Sequence, residues 1–423
     1  MIDLKLLRES PDLIRQALKN RGVDIDIEKI LGLEKERRFI WREVEDLRSQ
    51  RNEISSQKGK PADIETAKKI KGDLRVKEDQ LKIIEQGFEA LYALIPNIPL
   101  DDVPVGQSEE DKKVIREWGK APKFDFEPKD HTEIGKGLDL IDAERAAKIS
   151  GARFGILKNE AALMEFALIN MAMDALLKEG FTPIIPPTLI RPEMMQAMGY
   201  VDTEEDRAER YFLEKDNLYL VGTAEQALGP MHQGEIFDKD ELPKRYMGFS
   251  SCFREEAGSY GKDTKGIFRV HQFDKVEMFS FTKPQDSKEE HQFLISLEEK
   301  LMQKLGLPYR LVHLCTADMA RPSASTYDIE VWIPSQKRYR ELMSSSNCTD
   351  FQARRLGIRH KEGDKTEFVH TLNATAFAMG RTIIAILENY QQKDGRVLVP
   401  KALRKYLGKK YIARQENSWQ RNS

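Results

Sequence analysis

Between Ile30 and Ile95 the apolar residues recur at alternating spacings of three and four, and this periodicity constrains the fold more than any other feature of the chain. The first series reads Ile30, Leu33, Arg37, Ile40, Val44, Leu47, Arg51, Ile54. The second reads Ala67, Ile70, Leu74, Lys77, Leu81, Ile84, Phe88, Leu91, Ile95. Such spacing is a heptad seam, and the breaker stretch Ser55–Asp63, with Gly59 and Pro61, divides it in two. The pattern predicts two helices of roughly 28 residues, about 40 Å long at ~1.5 Å rise per residue, folded back as an antiparallel coiled coil. With one apolar stripe available, the hairpin is expected to project from the body of the protein. Arg37, Arg51 and Lys77 interrupt the seam, and Arg48, Lys58, Lys60, Lys68, Lys69, Lys71 and Arg75 occupy its polar faces and tip. These cations read equally as the solvated surface of any such hairpin or as a surface for nucleic-acid phosphates.

A short helix precedes the hairpin, with Ser10-Pro11 expected as N-cap and first helical residue. Pro96-Asn97-Ile98-Pro99 ends the second long helix, and Asn97–Gly119 reads as an extended linker. This sets a helical domain at 1–103 and a second at 104–423, a division that the length of 423 residues accommodates. In the second part, Leu163–Glu179 reads as an amphipathic helix ended by Gly180. The Pro-containing stretch Phe181–Pro187 suits a sheet edge, and Asp216-Asn217 marks a hairpin between Tyr211–Leu213 and Leu218–Val221. Gln285–Leu305 reads as a helix stopped by Gly306. Tyr309–Cys315, Ser325–Ile333 and Tyr339–Met343 read as strands, and Ala374–Gln391 as a final buried helix. Hairpin-linked strands with helices between them predict an α+β domain built on an antiparallel sheet.

Composition closes off several function classes. The net charge of −2 leaves nucleic-acid binding to local basic patches. Cys252, Cys315 and Cys348 are too far apart in sequence for a CxxC metal motif or a disulfide framework, and read as reduced core cysteines. The N-terminus lacks a signal-peptide apolar run and no stretch approaches a membrane span of ~18 apolar residues, so a cytoplasmic protein without membrane contact is expected. Neither glycine-rich α/β nucleotide signature occurs.

The densest chemistry lies in FREEAGSYGKDTKGIFRVHQFDKVEMF, Phe253–Phe279. A strand–loop–strand here would place Arg254 beside Phe273, Lys275 and Glu277. A guanidinium binds phosphate bidentately and an aromatic face stacks on a base, so the residues themselves point to a nucleotide-handling site.

This run resembles motif 2 of class II aminoacyl-tRNA synthetases, in the version of the seryl-tRNA synthetase family. Thr371–Gln391 (TLNATAFAMGRTIIAILENYQ) resembles motif 3, and Gly180–Pro187 resembles motif 1, the dimer-interface element. VGTAEQAL at Val221–Leu228, RYRELMSSSNCTDFQARR at Arg338–Arg355, LVPKALRKY at Leu398–Tyr406 and the N-terminal arm are similar to that family too. The resemblance implies a class II catalytic domain with a coiled-coil tRNA-binding arm. The implied activity is ATP-dependent formation of seryl-adenylate from L-serine and transfer to tRNA(Ser), with tRNA(Sec) as a second candidate acceptor, in a homodimer. It implies that Arg254 binds the α-phosphate and Arg381 the γ-phosphate of ATP. Glu256 would accept from the adenine amino group, with Phe273 stacked beneath the ring and Glu255 and Val270 also in the ATP site. Glu341 and Ser344 would hold Mg2+ and phosphate oxygens, with Glu341 the metal ligand and, with the two arginines, catalytic. Thr223, Glu225, Glu277, Asn373 and Thr375 would form the serine pocket. Arg48, Arg51, Lys58, Lys68, Lys71 and Arg75 would contact tRNA. The chain departs from the family pattern in TADMARPSAS, Thr316–Ser325, where Ala317 and Ala320 replace glycines and Ser325 a common lysine, and in Ala374, which replaces a glycine.

Two other functions fit parts of this pattern: a ligase loading an amino acid onto a carrier protein, and a non-catalytic tRNA-binding relative. The long arm argues against the first. The retention of Arg254, Glu256, Glu277, Glu341 and Arg381 argues against the second.

Overall fold

The computed structural model describes residues 1–56, 61–256 and 265–414, apart from the side chains of Ser56, 61–64 and Lys239. The chain forms two units, Met1–Ile98 and Pro99–Ser423.

In the first unit, α1 (Leu4–Glu9) and α2 (Pro11–Asn20) lead into the long helices α3 (Ile27–Ser56) and α4 (Pro61–Tyr92). Pro11 opens α2 as expected, but the Ser10 side chain makes no capping bond; Ser10 instead ends α1 through its backbone N–H to the Leu6 carbonyl, at φ −141° and ψ 54°. The seam forms: Ile30, Ile40, Val44, Ile70, Leu74 and Phe88 are buried. Two of its charged positions, Lys77 and Arg37, find local partners, while Arg51 stays exposed. Lys77 Nζ lies 2.7 Å from Glu43, and Arg37 covers the Phe88 ring at 5.2 Å. At the base, buried Glu34 takes Arg8 at 2.6 Å and Arg38 at 3.0 Å, tying α1 to α3.

The second unit is built on an eight-stranded sheet. Its strands are β1 (Lys113–Trp118), β2 (Thr182–Ile184), β3 (Lys244–Phe253), β4 (Gln272–Thr282), β5 (Tyr309–His313), β6 (Ser325–Ile333), β7 (Arg338–Asn347) and β8 (His370–Ala378), in the order β1-β5-β6-β7-β8-β4-β3-β2. All neighbours are antiparallel except β2, which joins β3 in parallel at the edge, where its proline is tolerated. The antiparallel α+β class expected from the sequence holds. Three helices pack on the sheet: α5 (Asn159–Leu176), α6 (Ser287–Leu305) and α7 (Met379–Asn389). The left-handed glycines Gly180 and Gly306 end the turns after α5 and α6. Asn217, at φ 52°, turns the expected hairpin between Phe212–Leu213 and Leu218–Leu220.

Two elements differ from expectation. The stretch Asn97–Gly119, expected as an extended linker, carries β1, which joins the sheet by pairing with β5; every residue of β1 is exposed, so its sequence lacks the apolar alternation of a half-buried strand. Ala374–Ala378 is the end of β8, not the start of a helix, and α7 begins only at Met379. The alanines permit helix, but β4 pairs with this segment through Ala378 and fixes it as a central strand.

Strand alternation places the site. On β4, Val276 and Met278 enter the main core with Leu294 and Leu301 of α6. Phe273, Lys275 and Glu277 face the other way and line a cavity, while Phe279 and Phe281 continue that face into a second apolar cluster with Leu228 and Leu356.

Candidate active site

The cavity, of about 430 Å³, opens where β7 and β8 part. These strands pair only through Ser345–Ala374, Ser346–Asn373 and Asn347–Leu372. Two bulges then re-aim side chains into the gap. Leu342 is the extra residue opposite Ile329 and Glu330, which brings Glu341 onto the cavity face of Ser344 and Ser346 despite the odd spacing. Ala376 is the extra residue opposite Val276 and Glu277, so that Thr375 and Ala378 both face the cavity.

Around this gap the structure gathers Thr223, Glu225, Arg254, Glu256, Val270, Phe273, Glu277, Glu341, Ser344, Asn373, Thr375 and Arg381. Glu255 is not among them. Its backbone N–H donates to the Glu209 carbonyl, and burial and then its carboxylate raise the pKa of the Tyr211 phenol. Of the residues expected on the arm, Arg51, Lys68, Lys71 and Arg75 are exposed, and Lys58 lies outside the described residues. Arg48 is held at 2.8 Å by both Glu45 and Glu78.

At one end of the cavity, the Arg254 guanidinium lies 5.3 Å from the Phe273 ring centroid and donates to the Gly222 carbonyl at 3.3 Å. His271 Nδ1 donates to the Arg254 carbonyl at 2.9 Å and lies outside the cavity lining, a structural role. Glu256 pairs with Arg269 at 3.3 Å. Arg381, in the first turn of α7, reaches the Glu341 carboxylate at 3.3 Å and its carbonyl at 3.1 Å. Burial disfavours the Glu341 charge, but Arg381 and then Arg254 outweigh it and hold the carboxyl below its ordinary pKa. Asp328 lies opposite Ser344 on β6. Burial and then the Glu341 charge push Asp328 well above the usual carboxylate range. Its Oδ1 is buried with no hydrogen-bond partner among the described residues. Glu341, Ser344 and Asp328 form a set of hard oxygens, and the orphaned carboxylate oxygen fits the demand of Mg2+ for such ligands.

At the other end, buried Glu277 pairs with Lys275. Glu225 accepts a short hydrogen bond from the Tyr200 hydroxyl and, among the described residues, forms no ion pair. Burial and then the charge of Glu277 raise its pKa to about 7. The pocket therefore has room for one more positive charge. The sequence does not point to Tyr200 or Arg210 as site residues, and it names Lys275 only within the nucleotide-handling run, not in the serine pocket. Lys275 lies within the Phe253–Phe279 run, and its alternation with Phe273 and Glu277 was the available signal. Tyr200 and Arg210 carry none, since lone residues of these types are everywhere in a chain. Of the atypical positions, Ala320 lines the cavity and Ala374 is fully buried between β4 and β7.

Residues 1–99 match the model of the seryl-tRNA synthetase N-terminal domain, and residues 211–390 match the class II tRNA synthetase core domain for G, H, P, S and T. The Serine–tRNA ligase of Thermodesulfovibrio yellowstonii is 45% identical, the match covering 96% of this chain and 99% of that one. The chain belongs to the seryl-tRNA synthetase family. The likeness extends to the Serine–tRNA ligase of Nitrosopumilus maritimus, at 41% identity over 96% of this chain and 99% of that one. A crystal structure of the seryl-tRNA synthetase of Pyrococcus horikoshii complexed with ATP superposes with a TM-score of 0.91 at 40% identity, covering 98% of this chain and 100% of that chain. The Naegleria fowleri cytoplasmic Serine-tRNA ligase in complex with AMP gives 0.87 at 34% identity, covering 98% and 99%. The resemblance expected from the motifs is thus borne out, as is the class II synthetase fold.

Proposed function

We propose that the chain activates L-serine with ATP to give seryl-adenylate and pyrophosphate, then transfers the seryl group to the 3′ end of tRNA(Ser). One observation carries the amino-acid assignment: Glu277 is paired with Lys275, whereas Glu225 beside it forms no ion pair among the described residues and feels Lys275 and Arg254 only at longer range. An α-ammonium completes that balance, and Glu277, Asn373, Thr375 and Thr223 offer polar partners to a small hydroxyl side chain. Alanine would leave those buried groups unpaired, and a larger side chain would not fit among them.

In this reading the serine carboxylate attacks the α-phosphorus of ATP and pyrophosphate leaves. The terminal ribose hydroxyl of tRNA then attacks the acyl carbon and AMP leaves. Catalysis is positioning plus charge stabilisation. Arg254 binds the α-phosphate while Phe273 beneath it stacks on adenine. Glu256 and the backbone at Val270 meet the adenine edge, and Arg381 takes the γ-phosphate. Glu341 and Ser344, with Asp328 behind them, would hold Mg2+, which supplies positive charge to the phosphates when bound. The N-terminal unit is the tRNA-binding domain, with Lys68, Lys71 and Arg75 exposed to meet phosphates. A homodimer, a cytoplasmic site of action and charging of tRNA(Sec) belong to the same proposal.

The test is ATP–pyrophosphate exchange across an amino-acid panel, followed by charging of tRNA(Ser) and tRNA(Sec). Serine alone should support rapid exchange. Exchange with no amino acid, or a preference for alanine or threonine, overturns the reading.

A further inference from the structure

Helix α6 lies on the face of the sheet away from the cavity, yet it carries a stripe of polar residues turned to the site strands. The Ser287 carbonyl accepts from Asn347, and Glu290 accepts from Ser280 at 2.8 Å. His291 Nε2 donates to the Ser345 carbonyl at 3.1 Å. Glu298 continues the stripe two turns further on. It is completely buried, and neither carboxyl oxygen closes a hydrogen bond of ordinary geometry with a described residue. The backbone N–H of Thr375 acts on this carboxyl in the direction that favours its charge, without closing a bond of ordinary geometry. Thr371 exchanges backbone hydrogen bonds with Cys348 and Thr349 on the β7 side, so Thr375, four residues on in the same strand, turns its N–H that way too; pairing with β7 has stopped at Ala374, and toward β4 Thr375 lies only in register with Glu277, beside the bulge at Ala376. A backbone donor at such a break needs an acceptor from elsewhere.

We propose that Glu298 is a positioning residue for the amino-acid pocket, holding the Thr375 backbone at the β8 bulge so that Thr375 and Glu277 present their side chains to serine. It acts as the neutral acid, since burial and then the charges of Asp328 and Glu277 disfavour its ionised form. A neutral carboxyl still offers its carbonyl oxygen to the Thr375 N–H, and adds no third negative charge near the ammonium site.

This inference rests on the serine-activating function proposed above. Its test is the exchange reaction with E298D and E298Q, reading KM for serine and for ATP separately. E298D withdraws the acid by one methylene and should raise the serine KM about tenfold while the ATP KM stays within twofold. E298Q keeps both the reach and the acceptor oxygen and should stay within threefold of wild type for both substrates. An unchanged serine KM in E298D, both KM values rising together, or E298Q losing as much as E298D overturns the inference while leaving the function intact. Absence of exchange in the wild-type protein overturns the function, and this inference with it.

Discussion

In the proposed amino-acid pocket Glu225 carries the charge balance, and its protonation would set what that pocket can bind. Its pKa in the folded protein, about 7, lies above the ordinary 4.5. The free protein is therefore favoured with Glu225 protonated, and that contribution is lost as pH climbs from about 4.5 through 7. Binding an ammonium runs the other way, because it requires the carboxylate. Between pH 8 and pH 6 kcat/KM for serine should fall about tenfold, as for one group titrating near 7. Tyr200→Phe removes a hydrogen bond that favours the ionised form, so the midpoint should move to higher pH; a midpoint that stays put would separate Tyr200 from this titration. Arg254→Ala should cut exchange by about 10²–10³-fold, the scale for removing one preorganised charge donor, with an unchanged circular dichroism spectrum. The residues behind that prediction were legible because charged groups cluster densely in Phe253–Phe279. Tyr200 was not, since only the fold brings it to Glu225 from 25 positions away.

At the scale of elements, long-period patterns were readable and interruptions were not. The heptads from Ile30 to Ile95 gave both arm helices, because one apolar stripe in each buries against the other. The end of the strand at His370–Ala378 reads as helix in the sequence, since Ala and Met tolerate either state and cross-strand partners decide between them. The bulges at Leu342 and Ala376 leave no sequence signal, although they aim Glu341 and Thr375. The arm offers a graded test. Replacing Lys68, Lys71 and Arg75 together by Ala should weaken tRNA charging more than tenfold at moderate salt and reduce the salt slope by about one unit per lost phosphate contact. Pyrophosphate exchange should persist unchanged. Arg48→Ala should do less, because its guanidinium is already engaged by Glu45 and Glu78. A triple variant that charges tRNA like the wild type would remove the arm surface from tRNA binding.

For the whole molecule, the question is what covers the outer side of α5 and β2. Leu163 and Phe166 on α5 are 52% and 64% exposed, and Ile185 just beyond β2 is 80% exposed. Large apolar side chains concentrated on one helix and the adjoining sheet edge mark an interface more often than a free surface. A second copy is the occupant that fits the motif 1 resemblance of Gly180–Pro187, since a two-fold dimer buries the same patch twice. Light scattering should give twice the 48.8 kDa of one chain. Leu163→Glu combined with Phe166→Glu would bury four carboxylates in that symmetric contact, two from each copy, and should yield monomers at micromolar concentration. Because α5 also supplies Met164 and Leu168 to the core that supports β4, losing the partner should lower exchange as well as mass. A double variant that stays dimeric would place the interface elsewhere, and a monomeric wild-type protein would rule out the homodimer.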